Sequence, residues 1–528
     1  MLSTETYIVK ERLPAPPVGR SELEIEVKFA CDLSIFPKLL ALVEPRVVAQ
    51  VESKHLQSTY FDTPDLRLRS AGVSLRKRTD EFGNALWGIK SAVSGGTSTF
   101  DRIQHEVSGI GDQSDLSQFG PAIAHQLADL IGGMEILPQF VVDVQRQQLL
   151  INHFNSDIEI ALDVGEVRSG DLRKQFFEIE LELKAGNAHH LYDFALLLVN
   201  ELLLTLSFDS KADRGFKLLN KDSTKWVMAR PLPSMKNELF NQTMARAAAN
   251  VIRHFTSNWS AFFETNEPEA THQKRAALRK FRDLADIYNT TFPLPDFTKL
   301  QQSAKYIGKT LGNARSLDVF RKSLPRVRAL KGLEHRELEA VQALVEQHYS
   351  VAREKVHEML NDRAPSQFVL QAQDSILQCK ELSHGNHAAE IADEPSADTQ
   401  MAEALRRLHG TILKSGKDFS KLSNKRLHKL RLKAKKMRHA LDIHASISGR
   451  KSGVDPYVRS LAHLQKALGI HNDNIFALSL LRTLSHDAAS DVKFCVKRLR
   501  RGLKRSDERQ LEKLKSIWNV FKHTRPYW

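Results

Sequence analysis

The sequence predicts an α+β protein of two domains: a closed antiparallel β barrel with flanking helices, followed by an all-α domain that is an internally duplicated helical bundle. Three observations carry this. Apolar residues alternate with polar ones at period two from about residue 21 to 220, and the period shifts to 3.6 from about 232 to 525. The charge divides at the same place. Residues 1–230 hold 25 Lys+Arg against 32 Asp+Glu, net −7, and residues 231–528 hold 52 against 31, net +21. A chain of 528 residues is long enough for two such cores.

Residues 1–20 read as an N-terminal tail and 21–220 as the first domain. Strands are expected near 22–30, 56–62, 73–79, 85–91, 100–107, 140–150, 157–164 and 176–184, and helices near 33–43, 120–131 and 188–204. Asp62-Thr63-Pro64-Asp65, Glu81-Phe82-Gly83-Asn84 and Ser94-Gly95-Gly96 supply turns between strands. In the first strand Glu22, Glu24, Glu26 and Lys28 share one face, and Leu23, Ile25 and Val27 share the other. Neighbouring carboxylates repel unless a cation sits among them, and a divalent metal carrying a polyanionic phosphate is the usual reason to tolerate them. Glu178, Glu180 and Glu182 repeat the pattern, while Arg76 with Arg78, Lys90, and Arg102 with Glu106 add charged faces of their own. Closing the strands into a barrel with a polar lumen avoids burying that charge unpaired, and gives one acidic wall for metal and one basic wall for phosphate.

After a linker at 221–234, the second domain spans 235–525, interrupted near 383–399 by an acidic, Ser/Pro-containing stretch. The interruption separates two copies of one pattern, about 235–365 and 400–525. His272, Arg275, Arg279 and Arg282 recur as His428, Arg431, Lys435 and Arg438, 156 residues on, and Leu311-Gly312 recurs as Leu468-Gly469, 157 residues on. Offsets of 0, 3, 7 and 10 fall on a helix stripe about 80° wide, so each copy gathers four cationic or protonatable groups on one face. A basic excess confined to one domain implies a polyanionic partner. The repeated stripes hold one aromatic, Phe281, where single-strand nucleic-acid binders interleave several for base stacking, which favours polyphosphate over nucleic acid.

Cys31, Cys379 and Cys495 are an odd number without metal-ligand spacing and read as free thiols in a reducing compartment. The first twenty residues lack the apolar stretch of a signal peptide, and no segment approaches ~18 apolar residues. A cytoplasmic protein with no membrane partner is therefore expected; its oligomeric state is open. Gly95-Gly96-Thr97 lacks the lysine of a Walker loop and reads as a hairpin tip.

Glu24-Ile25-Glu26-Val27-Lys28, Tyr60-Phe61-Asp62-Thr63-Pro64-Asp65, Leu75-Arg76-Lys77-Arg78, Asp163-Val164-Gly165, Glu178-Ile179-Glu180-Leu181-Glu182 and Ser210-Lys211-Ala212-Asp213-Arg214-Gly215 occur in the order seen in CYTH domains, the triphosphate tunnel metalloenzymes. The first domain resembles that family over about 200 residues. The resemblance implies an eight-stranded antiparallel tunnel that binds a triphosphate and Mg²⁺ or Mn²⁺. It implies that Glu24, Glu26, Glu178 and Glu180 serve metal and water activation, that Lys28, Arg76, Arg78, Lys90, Arg146 and Lys211 hold phosphates, and that Glu24, Glu26, Lys28 and Lys90 are catalytic. Where the family often shows Arg-x-Glu-x-Glu, this chain has Arg102-Ile103-Gln104-His105-Glu106. The second domain resembles the CHAD domain in His272-Gln273-Lys274-Arg275, in Leu311-Gly312 through Val319, in His428-Lys429-Leu430-Arg431 and in Leu468-Gly469 through Asp473. That resemblance implies duplicated four-helix bundles and inorganic polyphosphate binding by His272, Arg275, Arg279, Arg282, His428, Arg431, Lys435 and Arg438. The expected activity is an inorganic triphosphatase that hydrolyses tripolyphosphate to pyrophosphate and phosphate. The alternatives are a class IV adenylate cyclase-like or thiamine triphosphatase activity, or a non-catalytic polyphosphate-binding protein.

Overall fold

In the computed structural model, residues 21–528 are described except 93–97, 99, 109–115, 220–224, 236–237, 266, 291–294, 330–334, 383–395, 450–454 and 488–489. The N-terminal tail, the hairpin tip Gly95-Gly96-Thr97, the start of the linker and most of the acidic interruption lie outside the described residues. The chain divides into two compact units, residues 1–225 with 365–374, and residues 226–364 with 375–528.

The first unit runs β1 (Ser21–Ala30), α1 (Ile35–Val43), β2 (Val47–Asp62), α2 (Arg67–Ser70), β3 (Val73–Asp80), β4 (Ala85–Ala92), β5 (Asp101–Ser108), α3 (Pro121–Ile131), β6 (Leu137–His153), β7 (Ser156–Ser169), β8 (Leu172–Ala185), α4 (Ala188–Leu202), β9 (Thr205–Leu206) and α5 (Lys211–Leu219). The sheet order is β5-β4-β3-β2-β6-β7-β8-β1-β9, and a further β5–β1 pairing closes eight strands into an antiparallel barrel. All eight expected strands are present, and β9 adds a two-residue pairing to β1. β2 is longer than its pattern suggested: Val47 already pairs with Ile151 of β6, and a register shift lies between Val51 and Lys54. The polar run Gln50 to His55 hid this half of the strand, because its inward and outward residues do not differ in polarity.

Residues paired across a ladder lie on the same face. Val27 and Phe29 of β1, opposite Leu181 and Ile179 of β8, are fully buried outside the barrel wall, where α4 packs on β6, β7 and β8 and α1 packs on α4. On β3 to β5, Leu75, Trp87, Ile89 and Val107 form an outer core with Leu68 of α2 and Leu127 and Ile131 of α3. Asp62, fully buried, anchors α2 by accepting the N–H groups of Thr63, Leu68 and Arg69. The inner face is part apolar. Tyr60, Phe140, Val142, Val144, Val167 and Phe176 pack with Ala212 and Phe216 of α5. A Cβ on Gly165 would lie 2.2 Å from the Phe176 ring, and one on Gly215 2.0 Å from Phe140, so both glycines are required by close packing.

The second unit is helical: α6 (Phe240–Thr256), α7 (Trp259–Thr265), α8 (Pro268–Asn289), α9 (Pro295–Ala329), α10 (His335–Asn361), α11 (Arg363–Glu381, of which 365–374 are counted with the first unit), α12 (Ala397–Ser415), α13 (Asn424–Ser448), α14 (Pro456–Asp487) and α15 (Ser490–His523). The duplication maps α8 onto α13 and α9 onto α14, and the flanking order maps α6 onto α12 and α10 onto α15. Each helix touches its counterpart: α6 with α12, α8 with α13, α9 with α14 and α10 with α15. Asp283 and His439 stand 156 residues apart, the repeat lag itself, and their side chains meet at 2.8 Å. Leu239 and Ser396, at the starts of α6 and α12, form an antiparallel bridge. Equivalent positions meeting one another define a local two-fold relation between the copies. One apolar core takes Phe320 and Leu324 from α9, Val341 and Val345 from α10, Leu481 from α14 and Leu499 from α15, so the two copies share their interior. No described helix is long and apolar enough to cross a membrane.

Candidate active site

The barrel register sets the strand charges singled out above on one inner face. Lys28 lies opposite Glu180, Arg146 opposite Asp163, Asp163 opposite Glu178, and Lys90 opposite Gln104. In the strand order the acids occupy the contiguous arc β7-β8-β1, with Asp163, Glu178, Glu180, Glu24 and Glu26. Most of the bases occupy β4-β3-β2-β6, with Lys90, Arg76, Arg78 and Arg146. Lys211 enters from α5.

The two arcs meet in ion pairs. Arg146 grips Asp163 in bidentate fashion at 2.7 and 2.6 Å and reaches Glu180 at 2.5 Å. Lys211 donates to Glu178, to Glu180 at 2.7 Å, and lies 2.8 Å from Asp163. Lys28 lies 2.5 Å from Glu180 and 3.1 Å from Glu26. Lys90 holds both oxygens of Glu24, at 2.9 and 2.6 Å. Arg76 reaches Glu106 at 3.0 Å over Gly88, which lies between them in the ladder.

Burial penalises all of these charges, and partners decide the outcome. For Lys28 and Arg146 burial is outweighed by Glu180 and Asp163, and both stay well above their ordinary values. Lys211 rises for the same reason. Glu180 is held well below the usual carboxylate range, against burial, by Lys211, Lys28 and Arg146. Glu24 is lowered by Lys90. Glu26 moves the other way, raised by burial and by the Glu180 charge. Arg78 falls to about 10 through burial and its neighbours Arg76 and Arg146, and its Nε has no hydrogen-bond partner.

Asp163, Glu178 and Glu180 are buried and each offers an oxygen within 4.8 Å of the others. An all-oxygen, all-carboxylate donor set suits a hard divalent cation such as Mg²⁺ or Mn²⁺. Two of the four expected metal residues, Glu178 and Glu180, thus join with Asp163, while Glu24 and Glu26 lie outside that triad beside Lys90 and Lys28. Asp163 was not singled out from the sequence as a site residue. Its signal was an acid at an inward position within the apolar run Ile160 to Val164, inside the quoted Asp163-Val164-Gly165 motif. Arg214, which reaches Glu178 at 3.0 Å and lies 4.9 Å from the Phe176 ring centre, is a second addition. The Oε1 of Gln104 is buried without a partner, and Lys90 across the ladder turns to Glu24 instead.

In the helical unit a cavity of about 500 Å³ is lined by His272, Arg275, Arg279, Arg431 and Lys435, joined by Arg315 from α9. Arg282, His428 and Arg438 do not line it. His428 bonds Asn472 at 2.5 Å and Arg438 lies 3.3 Å from Asp442. A Cβ on Gly312 would lie 3.0 Å from Nε of Arg275, and one on Gly469 3.9 Å from Nε of Arg431. The two repeated motifs therefore meet in space, glycine giving passage to arginine. Here Asp473, Asp283 and Glu269 offset the cations only in part. Burial, then Arg279, Arg431 and Arg275, drop Lys435 to about 7. Burial and Arg315 drop His272 to about 4.

A closed tunnel with an acidic arc facing a basic one, followed in the chain by a duplicated helical unit, defines the two-domain class of architecture. Residues 22–216 match the CYTH domain and residues 246–482 match the CHAD domain. The chain belongs to the proteins that carry a CYTH domain followed by a CHAD domain. It is 29% identical over 211 residues to the inorganic triphosphatase of Haemophilus influenzae, a match covering 39% of this chain and 57% of that protein. An uncharacterized protein of Mycobacterium tuberculosis is 23% identical over 501 residues, 87% of this chain and 88% of its own length. The crystal structure of the CHAD domain from the plant Ricinus communis superposes with a TM-score of 0.50 at 24% identity, covering 57% of this chain and 98% of that one, which shows the helical fold.

Proposed function

We propose that the tunnel is a metal-dependent inorganic triphosphatase, converting tripolyphosphate and water to pyrophosphate and phosphate, and that the helical unit binds inorganic polyphosphate in its basic cavity. The observation that carries the first reading is the inner-face network in which Lys28, Arg146 and Lys211 converge on Glu180. Tripolyphosphate repels an incoming water until its charge is neutralised. Lys28, Arg76, Arg78, Lys90, Arg146 and Lys211 offer fixed positive charge around the lumen to hold the chain in line. A divalent cation held by Asp163, Glu178 and Glu180 would supply charge stabilisation on the phosphoryl oxygens. Glu24 and Glu26 orient the attacking water and receive its proton as the new P–O bond forms and the bridging P–O bond breaks. No nucleoside pocket is needed for this chemistry. The Haemophilus relative's activity supports the reading.

The test is phosphate release by the purified protein from tripolyphosphate, ATP and long-chain polyphosphate, each with Mg²⁺, with Mn²⁺ and with chelator. Metal-dependent release that is fastest from tripolyphosphate is expected. Equal or faster release from ATP would move the assignment to a nucleotide-directed enzyme, and no release from any substrate would leave a binding protein.

A further inference from the structure

The helical cavity has two chemically different sides, and the division follows the helices. Its α8 and α13 side carries His272, Arg275, Arg279, Arg431 and Lys435. On its α9, α14 and α15 side, the charged residues Arg315 and Asp473 are accompanied by apolar and neutral ones, with Val319, Ile470 and Phe476 among them. These three are not closed off as core residues are. Ile470 is 43% exposed, and Val319 and Phe476 are only half-buried. Along α9, Val319 follows Arg315 by about one helical turn, ~5.4 Å of rise, so an apolar surface starts one turn from a cation.

An inorganic phosphate chain is polar along its whole length. Seating it against Val319, Ile470 and Phe476 would strip its water and return nothing. A volume of about 500 Å³ is that of a small-molecule site, where apolar walls take the body of a ligand and a few polar groups fix its orientation. Ser316, Asn474 and Ser506 line the same cavity and can exchange hydrogen bonds with hydroxyl or ring nitrogen groups. Asp473, which would repel phosphate, can accept from a sugar hydroxyl.

We propose that this cavity binds a nucleoside polyphosphate, its phosphates on the α8 and α13 cations and its base against Val319, Ile470 and Phe476. The proposal rests on the reading of the cavity as a phosphate site and adds to the inorganic chain a ligand with an organic body, which the apolar side favours.

The test uses the full chain carrying Glu24→Gln and Glu26→Gln, to stop turnover, with chelator present. Equilibrium dialysis measures ATP and tripolyphosphate in this parent, in the parent with Val319→Thr and Ile470→Ser, and in the parent with Arg275→Ala and Arg431→Ala. The tunnel contributes equally to all three, so differences report the cavity. The apolar pair should weaken the ATP phase by about tenfold, the loss of one to two buried methylenes, and leave tripolyphosphate within about twofold. The arginine pair should weaken both. Phe476→Leu, which keeps an apolar side chain and removes the ring, should also lower ATP selectively; melting curves confirm that each variant folds. ATP unchanged by both apolar substitutions, or ATP and tripolyphosphate falling together, overturns the nucleotide proposal and leaves the phosphate reading standing. No response to the arginine pair overturns both.

Discussion

The barrel and the helical cavity both gather buried cations, and they treat them oppositely. In the barrel, Lys28, Arg146 and Lys211 each touch carboxylates and are held more firmly protonated than in water. In the cavity, Arg275, Arg279, Arg431 and Lys435 face burial and one another and are all pushed down. The barrel is internally neutralised, as a site must be if its acids are to take a metal and its bases a phosphate. The cavity keeps most of its repulsion, with Asp473 and Asp283 offsetting only part of it, and a bound anion would relieve the rest. One architecture is suited to exchanging partners during a reaction, the other to retaining a ligand.

The largest effect should come from the barrel acids. Glu24→Gln with Glu26→Gln should lower tripolyphosphate turnover by about 10³-fold or more, with polyphosphate affinity of the full chain unchanged within twofold. Retained turnover would remove these residues from the catalytic assignment. Next, the same residue type should act with opposite sign in the two places. Arg146→Ala leaves Asp163 and Glu180 short of a partner and should destabilise the barrel by about 3–5 kcal/mol, whereas Arg279→Met should raise the melting temperature of the helical unit. A loss of stability in both would break the comparison.

The two copies within the helical unit permit a finer test. Lys274 of α8 is fully buried, its Nζ has no hydrogen-bond partner, and it lies 4.4 Å from the Trp259 ring centre. The same position in α13 is Leu430, also fully buried. Lys274→Leu should therefore stabilise the unit by about 1–3 kcal/mol, the cost of an unpartnered buried polar group; calorimetry showing a loss instead would mean that the amine is held by the aromatic rings in its charged form.

The smallest effect concerns protons. Lys435 is lowered to about 7 in the folded protein, below its unfolded value of ~10.4, so across that interval the unfolded chain binds more protons and stability rises with pH. A bound polyanion reverses the shift. Polyphosphate binding at pH 8 should take up as much as about one proton, read by calorimetry in two buffers of different ionisation enthalpy. Lys435→Met should remove that uptake.

Much of the barrel was legible in its residues. Alternation marked eight strands, because along most of each strand one face is apolar and packed, outside against helices or inside around α5, while the other is polar. It failed for residues 47–55 of β2, where Val47-Val48-Ala49 is an unbroken apolar run and Gln50 to His55 is polar but for Val51, and for α5, whose Lys211 and Arg214 turn to the strand carboxylates while Ala212 and Phe216 enter the apolar cluster. That short amphipathic pattern gains meaning only inside a barrel end. The repeated stripe in the helical half located its cations but overstated their reach. A stripe ~80° wide does not fix which of its members reach one cavity: Arg438 turns to Asp442 although the next residue, His439, lines the cavity, and His428 turns to Asn472 while its counterpart His272 lines it.

By itself the sequence determined the two-part architecture, the inward charge of the strands and the internal duplication, because periodicity and spacing are local properties that any folded form of the chain must respect. Which charges neutralise one another was decided by tertiary structure alone. Asp163 joins Glu178 because β7 and β8 pair in one register, Arg146 reaches both Asp163 and Glu180 because β6, β7 and β8 are neighbours in the sheet, and Arg275 and Arg431 are left facing each other because a two-fold relation sets equal charges side by side. Electrostatic energy depends on distance and burial, and neither is written in the order of residues along a chain.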